Sequence, residues 1–241
     1  MATSLIWTNQ NGTLAINRNN LRDFYAQCLQ NYLPSVCFQV EARCEVYQMM
    51  NCAMSYAIRP GSRPTLSEAA GETVLSYSYS NQDHDGAGIN NNIGYFMIGT
   101  TYNMNIQFTN TNGSASIVIA QHLVISYDMK NFVTASSGNG VDKTIVDTYT
   151  LTVDESGILS ASVNSETTDN STPPVDSIRD FFTDSDAFIG DIQRQGDALV
   201  STGGLNIPLS NKSAYSFPSG QTSPFKSVQF SENQDLVASV A

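Results

Sequence analysis

The segment from Val36 to Ile58 alternates apolar and polar side chains at almost every position. A period of two is typical of a half-buried β-strand, because successive side chains point to opposite faces. At about 3.3 Å per residue, this strand would far exceed the usual length of about 5–6 residues. We therefore predict one very long strand in a long sheet with one apolar face. Its apolar residues are Val36, Phe38, Val40, Ala42, Cys44, Val46, Met50, Cys52, Met54, Tyr56 and Ile58.

Composition and charge exclude several classes of function. The 241 residues are 41% hydrophobic and 14% charged, and they carry a formal charge of −11. This charge does not attract nucleic acid, so we expect no nucleic-acid partner. The beginning of the chain lacks a signal-peptide pattern, and no stretch reaches the about 18 apolar residues of a membrane span. We expect a single domain over residues 1–241, complete or cut from a longer protein, cytoplasmic by default and of open oligomeric state.

Two segments with a period near 3.6 predict amphipathic helices. The first has Asn20 as its N-cap and ends at Pro34, and the second begins at Ser177 and stops at Gly203. Together with the long strand they predict an α+β fold, in which a long, strongly curved antiparallel β-meander wraps around both helices. The apolar stripes are Leu21, Phe24, Tyr25, Cys28, Leu29 and Tyr32 in the first helix, and Ile178, Phe181, Phe182, Phe188, Ile189, Ile192 and Leu199 in the second.

Two turns predict the register of the strands beside them. Asn112-Gly113 is a preferred type I′ pair, and Gly157 suits the left-handed position of a three-residue hairpin loop. The first turn pairs Phe108 with Ile117, Ile106 with Ile119 and Tyr102 with Leu123, and the second pairs Val153 with Leu159, Leu151 with Ala161 and Tyr149 with Val163. Apolar residues therefore meet on one face of each hairpin.

Three other segments complete the predicted order of elements. A short strand covers residues 72–80, and an exposed loop follows over residues 81–92. Two closing strands over residues 225–240 surround a turn at Ser231-Glu232-Asn233.

Few residues are candidates for catalysis or metal binding. The chain has only His84 and His122, and His84 stands between Asp83 and Asp85 in the predicted loop. Asp83, His84 and Asp85 are weak metal candidates, because the run lacks the spacing of an EF-hand. We expect no metal, no cofactor and no enzymatic activity.

The four cysteines match no metal or redox motif. Cys44 and Cys52 lie eight residues apart on the predicted long strand, about 26 Å at 3.3 Å per residue, which is too far for a disulfide. Reduced thiols are the default, and a bond between Cys28 and Cys37 is left open.

The chain is rich in one-sided apolar surface. One interpretation is an ordinary core, with the helices filling the sheet. The other is a tube that holds a lipid or another apolar small molecule between helix and sheet. The candidate ligand-binding residues are Phe38, Val40, Val46, Met50, Met54, Ile106, Phe108, Ile119, Phe181, Phe182 and Ile189.

The order of elements and the C-terminal segment resemble the tubular lipid-binding superfamily that includes the bactericidal/permeability-increasing protein. In that family a long helix precedes a short Pro-bearing apolar segment and a closing pair of strands. Here Leu205-Asn206-Ile207-Pro208-Leu209 precedes the segment from Phe225 to Val240. The resemblance implies a lipid held between helix and sheet. The family's disulfide and a basic tip are not evident here, so secretion and lipopolysaccharide binding are not carried over.

Two other functions remain as alternatives. The Ser- and Thr-rich alternation of residues 143–153 and 158–165 is also typical of water-soluble pore-forming proteins, whose amphipathic hairpin leaves the body and enters a membrane. In that case a membrane would be the partner. Exposed Asn, Gln and aromatic side chains such as Trp7 would suit a sugar-binding or structural module.

Overall fold

A computed structural model describes residues 8–10, 13–32, 38–47, 51–60, 65–71, 73–87, 94–130, 135–172, 215–216 and 222–240. Most of these residues lie in antiparallel strands, and one helix precedes the long strands. The elements are β1 Thr8–Gln10, β2 Thr13–Ile16, α1 Arg18–Tyr32, β3 Phe38–Tyr47, β4 Asn51–Pro60, β5 Ser67–Ala70, β6 Val74–Ala87, β7 Gly94–Thr111, β8 Ser114–Lys130, β9 Ala135–Val153, β10 Leu159–Asp169, β11 Tyr215–Ser216, β12 Thr222–Ser223, β13 Phe225–Phe230 and β14 Leu236–Val240.

The largest unit is a six-stranded antiparallel sheet in which β5 to β10 follow one another as a meander. Both predicted hairpin registers are confirmed, with Phe108 opposite Ile117 and Val153 opposite Leu159. The turns are those that the sequence specifies, because Asn112, Gly113 and Gly157 all have positive φ angles. Three strands of the meander, β7, β8 and β9, have 18, 17 and 19 residues.

The prediction of an α+β fold with a meander wrapped around two amphipathic helices is wrong. The structure is mostly β, and its dominant element is the antiparallel sheet of six strands. The second predicted helix, with Phe181, Phe182 and Ile189, lies outside the described residues. In the described part of the chain, Ser and Thr often occupy alternate strand positions. These residues suit the solvated face of a sheet, so the described sequence favours strands over amphipathic helices.

The single strand predicted from Val36 to Ile58 is also wrong, because this region forms the hairpin of β3 and β4. Val40 pairs with Ile58, and Val46 pairs with Cys52. In this register every even-numbered residue pairs with another even-numbered residue. The apolar residues of both strands therefore lie on the same face, as they would on one continuous strand. A period of two therefore cannot distinguish this hairpin from one continuous strand. The register also replaces the predicted 26 Å between Cys44 and Cys52 by a diagonal position on neighbouring strands.

Strand β6 extends further than the sequence predicts. Residues 81–87, predicted as part of an exposed loop, continue the ladder with β7 as far as Ala87 opposite Gly94. The polar side chains Asn81, Gln82 and Asp83 are tolerated because β7 supplies backbone partners along the whole length of β6. The two closing strands are confirmed as β13 and β14, which pair Phe230 with Leu236.

A second, four-stranded sheet packs against one end of the meander. Its order is β1-β2-β14-β13, and β13 lies against β7, β8 and β9. The rings of Phe108 and Phe230 are 5.1 Å apart. The side chain of Asn110 donates from Nδ2 to the carbonyl of Phe230, and its Oδ1 accepts from the Phe230 N–H, each at 2.8 Å. The Asn110 side chain therefore bonds to the Phe230 backbone at both its N–H and its carbonyl, and it joins the two sheets.

Helix α1 begins at Arg18, two residues before the predicted N-cap Asn20. The Oδ1 of Asn17 accepts a hydrogen bond from the N–H of Asn19, and this satisfies a free donor of the first turn. Leu21 and Leu29 are buried. The hydroxyl of Tyr77 on β6 donates to the carbonyl of Arg22 at 2.8 Å, which places α1 beside the sheet. No helix in the described residues combines the length and the apolar character that crossing a membrane requires.

Candidate functional site

The six-stranded sheet has two chemically different faces. The inner face contacts β13 and α1 and is made of alternate, buried residues from four neighbouring strands. The outer face is made of the residues between them and carries Ser, Thr, Asn and Gln, with Ser78, Thr101, Asn103, Asn105 and Gln107 exposed. The inner face comprises Leu75, Tyr77, Tyr79, Phe96, Ile98, Thr100, Tyr102, Met104, Ile106, Phe108, Ala115, Ile117, Ile119, Gln121, Leu123, Ile125, Tyr127, Val141, Tyr149 and Leu151.

The apolar part of the inner face is long. On β7 it runs from Phe96 to Phe108, and every second residue is at most 2% exposed. These twelve steps span about 40 Å at 3.3–3.4 Å per residue. An acyl chain from one leaflet of a bilayer spans about 15 Å, half of the hydrocarbon core. The inner face is therefore long enough to lie along a complete acyl chain.

The hairpin of β3 and β4 covers part of this face. Strand β3 lies against β6 and β7. The outer side chains of β6 there, Ser78, Ser80 and Gln82, are exposed, whereas Tyr77 and Tyr79 on the inner side are buried. Because the outer side is open, we assign the hairpin to the inner face.

Asn81, Asp83 and Asp85 of β6 lie on the inner face, opposite Thr100, Ile98 and Phe96. Two further polar side chains interrupt this face, Thr100 and Gln121. Both are buried, with 2% and 4% of their surface exposed. The hydroxyl of Tyr102 donates to Oε1 of Gln121 at 2.9 Å. Burial raises the pKa of Tyr102, so its hydroxyl stays protonated and remains a donor at neutral pH.

The electrostatics change toward β10, where the inner face ends in charged groups. Asp147 accepts a hydrogen bond from Ser165, and Lys143 forms an ion pair with Asp169 at 3.1 Å between Nζ and Oδ2. Burial, with a smaller contribution from Asp147, raises the pKa of Tyr149 to about 12. The apolar stripe is therefore bounded by groups that are already paired with one another.

The structure brings together three of the predicted ligand-binding residues. Ile106 and Ile119 face each other across β7 and β8, and Phe108 is the next inner-face residue on β7. Phe38, Val40, Val46 and Met54 have their backbone in the β3–β4 hairpin, and their side chains lie outside the described part. Met50, Phe181, Phe182 and Ile189 lie outside the described residues altogether.

The weak metal candidates Asp83, His84 and Asp85 lie on β6 rather than in a loop. Neighbouring residues of a strand point to opposite faces, so His84 does not converge with the two carboxylates. In the part of the chain that the structure describes, no three His, Cys, Asp or Glu side chains form a group that could hold a metal ion.

His122 lies on the outer face and is held by Asp142. Its Nε2 is 2.9 Å from Oδ1 of Asp142, and 44% of the His122 side chain is exposed. The backbone N–H of Asp142 donates to Oγ of Ser171, which ties this pair to the end of β10. The geometry suits a surface contact that joins β8, β9 and the segment after β10.

Sequence reasoning missed Gln121. Its position in the alternation of β8 contains the signal, because the residues two and four positions away on either side are Ile117, Ile119, Leu123 and Ile125. A lone amide in an otherwise apolar series marks a buried polar group, and such groups require a hydrogen-bonding partner.

The chain matches no family model, no curated protein and no solved structure. The geometry of the two faces therefore carries the functional argument.

Proposed function

We propose that this protein binds a lipid or another elongated apolar ligand along its inner face and catalyses no reaction. The observation that carries the proposal is the buried stripe on β7, in which Phe96, Ile98, Tyr102, Met104, Ile106 and Phe108 are apolar and Thr100 is the one polar member. Removal of apolar surface from water is worth about 25 cal/mol per Å². An apolar molecule that took the place of the covering layer would keep this surface out of water.

The β3–β4 hairpin gives the ligand a way in. It forms its own two-stranded sheet, and among the described strands it shares no ladder with the six-stranded sheet. No strand ladder therefore joins the described parts of the two sheets, and a ligand can enter between them without unpairing the strands of either sheet. The ligand would lie between β3 on one side and β6 and β7 on the other.

The resemblance to the tubular lipid-binding superfamily agrees with this proposal and stays a prediction. The closing pair of strands, β13 and β14, is present and packs on the meander. The Pro-bearing segment 205–209 and the second helix, on which the resemblance also depends, lie outside the described residues. The apolar inner face supports lipid binding independently of the resemblance.

Native mass spectrometry combined with organic extraction tests the proposal. We expect the purified protein to carry, or to take up from a lipid mixture, one apolar molecule that is released by solvent. Ile98→Trp adds bulk to the inner face and should lower the bound fraction several-fold, while Asn103→Trp on the exposed face of the same strand should not.

Circular dichroism confirms that each of these variants is folded. A folded wild-type protein that takes up no apolar molecule would contradict the proposal. Release of dye from liposomes without uptake would instead support the membrane-damaging alternative.

A further inference from the structure

Strand β10 forms one edge of the six-stranded sheet, and no described strand pairs with its outer side. It pairs with β9 over 11 residues without a register shift. Residues 162–169 are all exposed, so the described protein covers neither face of this part of the strand. Val163 is 56% exposed, and no other large apolar side chain of the described residues is exposed. The far part of β10 therefore lies outside the core.

The hydrogen bonds at the two ends of β10 show which of its backbone groups face outward. The N–H of Asp154 donates to the carbonyl of Ile158, and the N–H of Asn170 donates to the carbonyl of Asp142. Both pairs continue the register of β10 with β9, so the even-numbered residues of β10 bond to β9. The odd-numbered residues between 159 and 169 therefore direct their N–H and C=O groups away from the sheet.

This edge has few of the features that keep sheets from pairing with one another. Those features are short edge strands, bulges, prolines and lysines. Strand β10 contains no proline or lysine, and its ladder with β9 has no bulge. The opposite edge of the sheet, β5, is in contrast only 4 residues long. A long edge of this kind favours the addition of a further strand.

The loop before β10 limits where a further strand can lie. The carbonyl of Gly157 accepts a hydrogen bond from the N–H of Phe225 at 2.9 Å. The start of β13 therefore closes the edge beside this loop. The stretch that is left for a further strand covers residues 159–169.

The sequence of β10 suits antiparallel pairing with a second copy of the same strand. A pairing centred on Asn164 uses all 11 residues and brings the outward backbone groups of both strands into hydrogen-bonding positions. Asn164 then lies opposite the Asn164 of the second copy, and Val163 lies opposite Ser165. Glu166 lies opposite Ser162, so no two carboxylates of the strands face each other. The two Val163 side chains become diagonal neighbours on one face, within reach of each other.

We infer that β10 binds the β10 of a second copy of this chain, so that two six-stranded sheets join into one continuous antiparallel sheet. The inner faces of the two copies then lie on the same side of the joined sheet, because residues directly opposite each other point to the same face. The inference depends on the edge alone and is independent of any ligand of the inner face.

Sedimentation velocity of the full chain tests the inference. A salt concentration of about 0.5 M screens the repulsion between two chains of formal charge −11. We expect a reversible equilibrium between monomer and dimer at protein concentrations between about 1 μM and 1 mM. Val163→Lys places two ammonium groups beside each other in the new pairing, and Thr167→Pro removes an outward N–H without touching the ladder with β9. Each should raise the dimer dissociation constant by about tenfold or more.

Matched controls assign the effect to this edge and to this register. Thr101→Lys, on the exposed outer face of β7, changes the charge as Val163→Lys does and should leave the dissociation constant unchanged. Under mild oxidation Asn164→Cys should form a disulfide-linked dimer above the wild-type level, because its two Cα atoms would lie about 4.5–5.5 Å apart. Ser162→Cys, on the same face but opposite Glu166, should not. Circular dichroism verifies that each variant is folded.

Three results would overturn the inference. The first is a folded wild-type protein that stays monomeric over the whole concentration range. The second is a dimer whose dissociation constant is the same in folded Val163→Lys and Thr167→Pro variants as in the wild type. The third is a monomer in which the outward amides of β10 are protected from hydrogen exchange, because another segment of the same chain would then cover the edge.

Discussion

The same strands form the inner and outer faces of the six-stranded sheet, and yet the two faces differ in burial and in polarity. On β8, Ile117, Ile119 and Leu123 are fully buried, whereas Val118 and Val124 on the other face are only half-buried. Both sets are β-branched or aliphatic and suit a strand equally well. Contact with a second layer, rather than strand propensity, therefore makes the inner face. Substitutions one residue apart should consequently have very different effects.

The largest effect should come from the contact between the two sheets. Phe108→Ala removes a ring that is 2% exposed and lies 5.1 Å from the Phe230 ring, so the free energy of unfolding should fall by about 3–5 kcal/mol. Gln107→Ala, its neighbour on the outer face, should change it by less than about 0.5 kcal/mol. Urea unfolding monitored by circular dichroism measures both, and similar losses for the two variants would break the comparison.

Substitution of two glycines with similar backbone angles tests which hairpin loop of the six-stranded sheet contacts the four-stranded sheet. Gly113 and Gly157 have φ angles of 79° and 76°. A Cβ at Gly113 would meet nothing within 4 Å, whereas one at Gly157 would overlap Pro224 and lie 3.0 Å from the carbonyl oxygen of Phe225. Gly113→Ala should cost about 1–2 kcal/mol for the left-handed conformation. Gly157→Ala should cost about 1–3 kcal/mol more.

Thermal unfolding of the two glycine variants side by side measures this difference. Equal melting temperatures would show that the 154–158 loop is not held against β13.

Alkaline pH should weaken the inner face through Tyr149. Its folded pKa of about 12 lies above the ordinary value of 10, so the neutral phenol is favoured in the folded state. This stabilisation is complete below pH 10 and is lost as the pH rises from 10 to 12. Tyr149→Phe should therefore lose less stability than the wild type between pH 9 and about pH 11. Identical pH profiles in urea titrations would count against a buried Tyr149.

The smallest effect should come from Asp169 at the charged border. Hydrogen bonds from Ser171, and then Lys143, lower the pKa of Asp169 to about 2. Its stabilisation is present above about pH 4 and is lost as the pH falls toward 2. Because the side chain is 46% exposed, the contribution should stay below about 1 kcal/mol.

Urea unfolding at pH 5 and at pH 2.5 should show a smaller acid loss for Asp169→Asn than for the wild type. Glu155→Gln, in an exposed hairpin loop, should behave as the wild type does. If Asp169→Asn lost as much unfolding free energy between pH 5 and pH 2.5 as the wild type does, the Asp169 carboxylate would not contribute to stability.

Local chemistry made part of the fold predictable. Asn112-Gly113 and Gly157 adopt positive φ angles at little cost, and such turns determine the pairing of the strands that flank them. The registers of β7 with β8 and of β9 with β10 follow from these residues alone. The segment from Val36 to Ile58 lacks such a turn residue, and its alternation stays in phase on both arms of the hairpin. Its reversal could not be read from the pattern.

Long-range packing accounts for what could not be predicted about the site. Ile106, Phe108 and Ile119 were identifiable as one-sided apolar residues, but the sequence does not reveal that β13 covers Phe108. The register of β7 with β8 could be predicted, but the hydrogen bond from Tyr102 to Gln121 could not, because the alternation does not show how two buried side chains orient toward each other. At a polar residue inside an apolar alternation, tertiary contacts determine which partner the side chain has, and the local sequence does not reveal that partner.

Methyl NMR during titration with methyl oleate tests the central claim most directly, because the two faces carry different methyl groups. Ile98, Ile106, Ile119 and Ile125 report on the inner face, and Val118, Val124 and Val146 report on the outer face. If the inner face binds the ligand, the isoleucine resonances will shift with saturation at one equivalent and the valine resonances will change little. Shifts confined to the outer valines, or no shifts at all in the folded protein, would contradict the account.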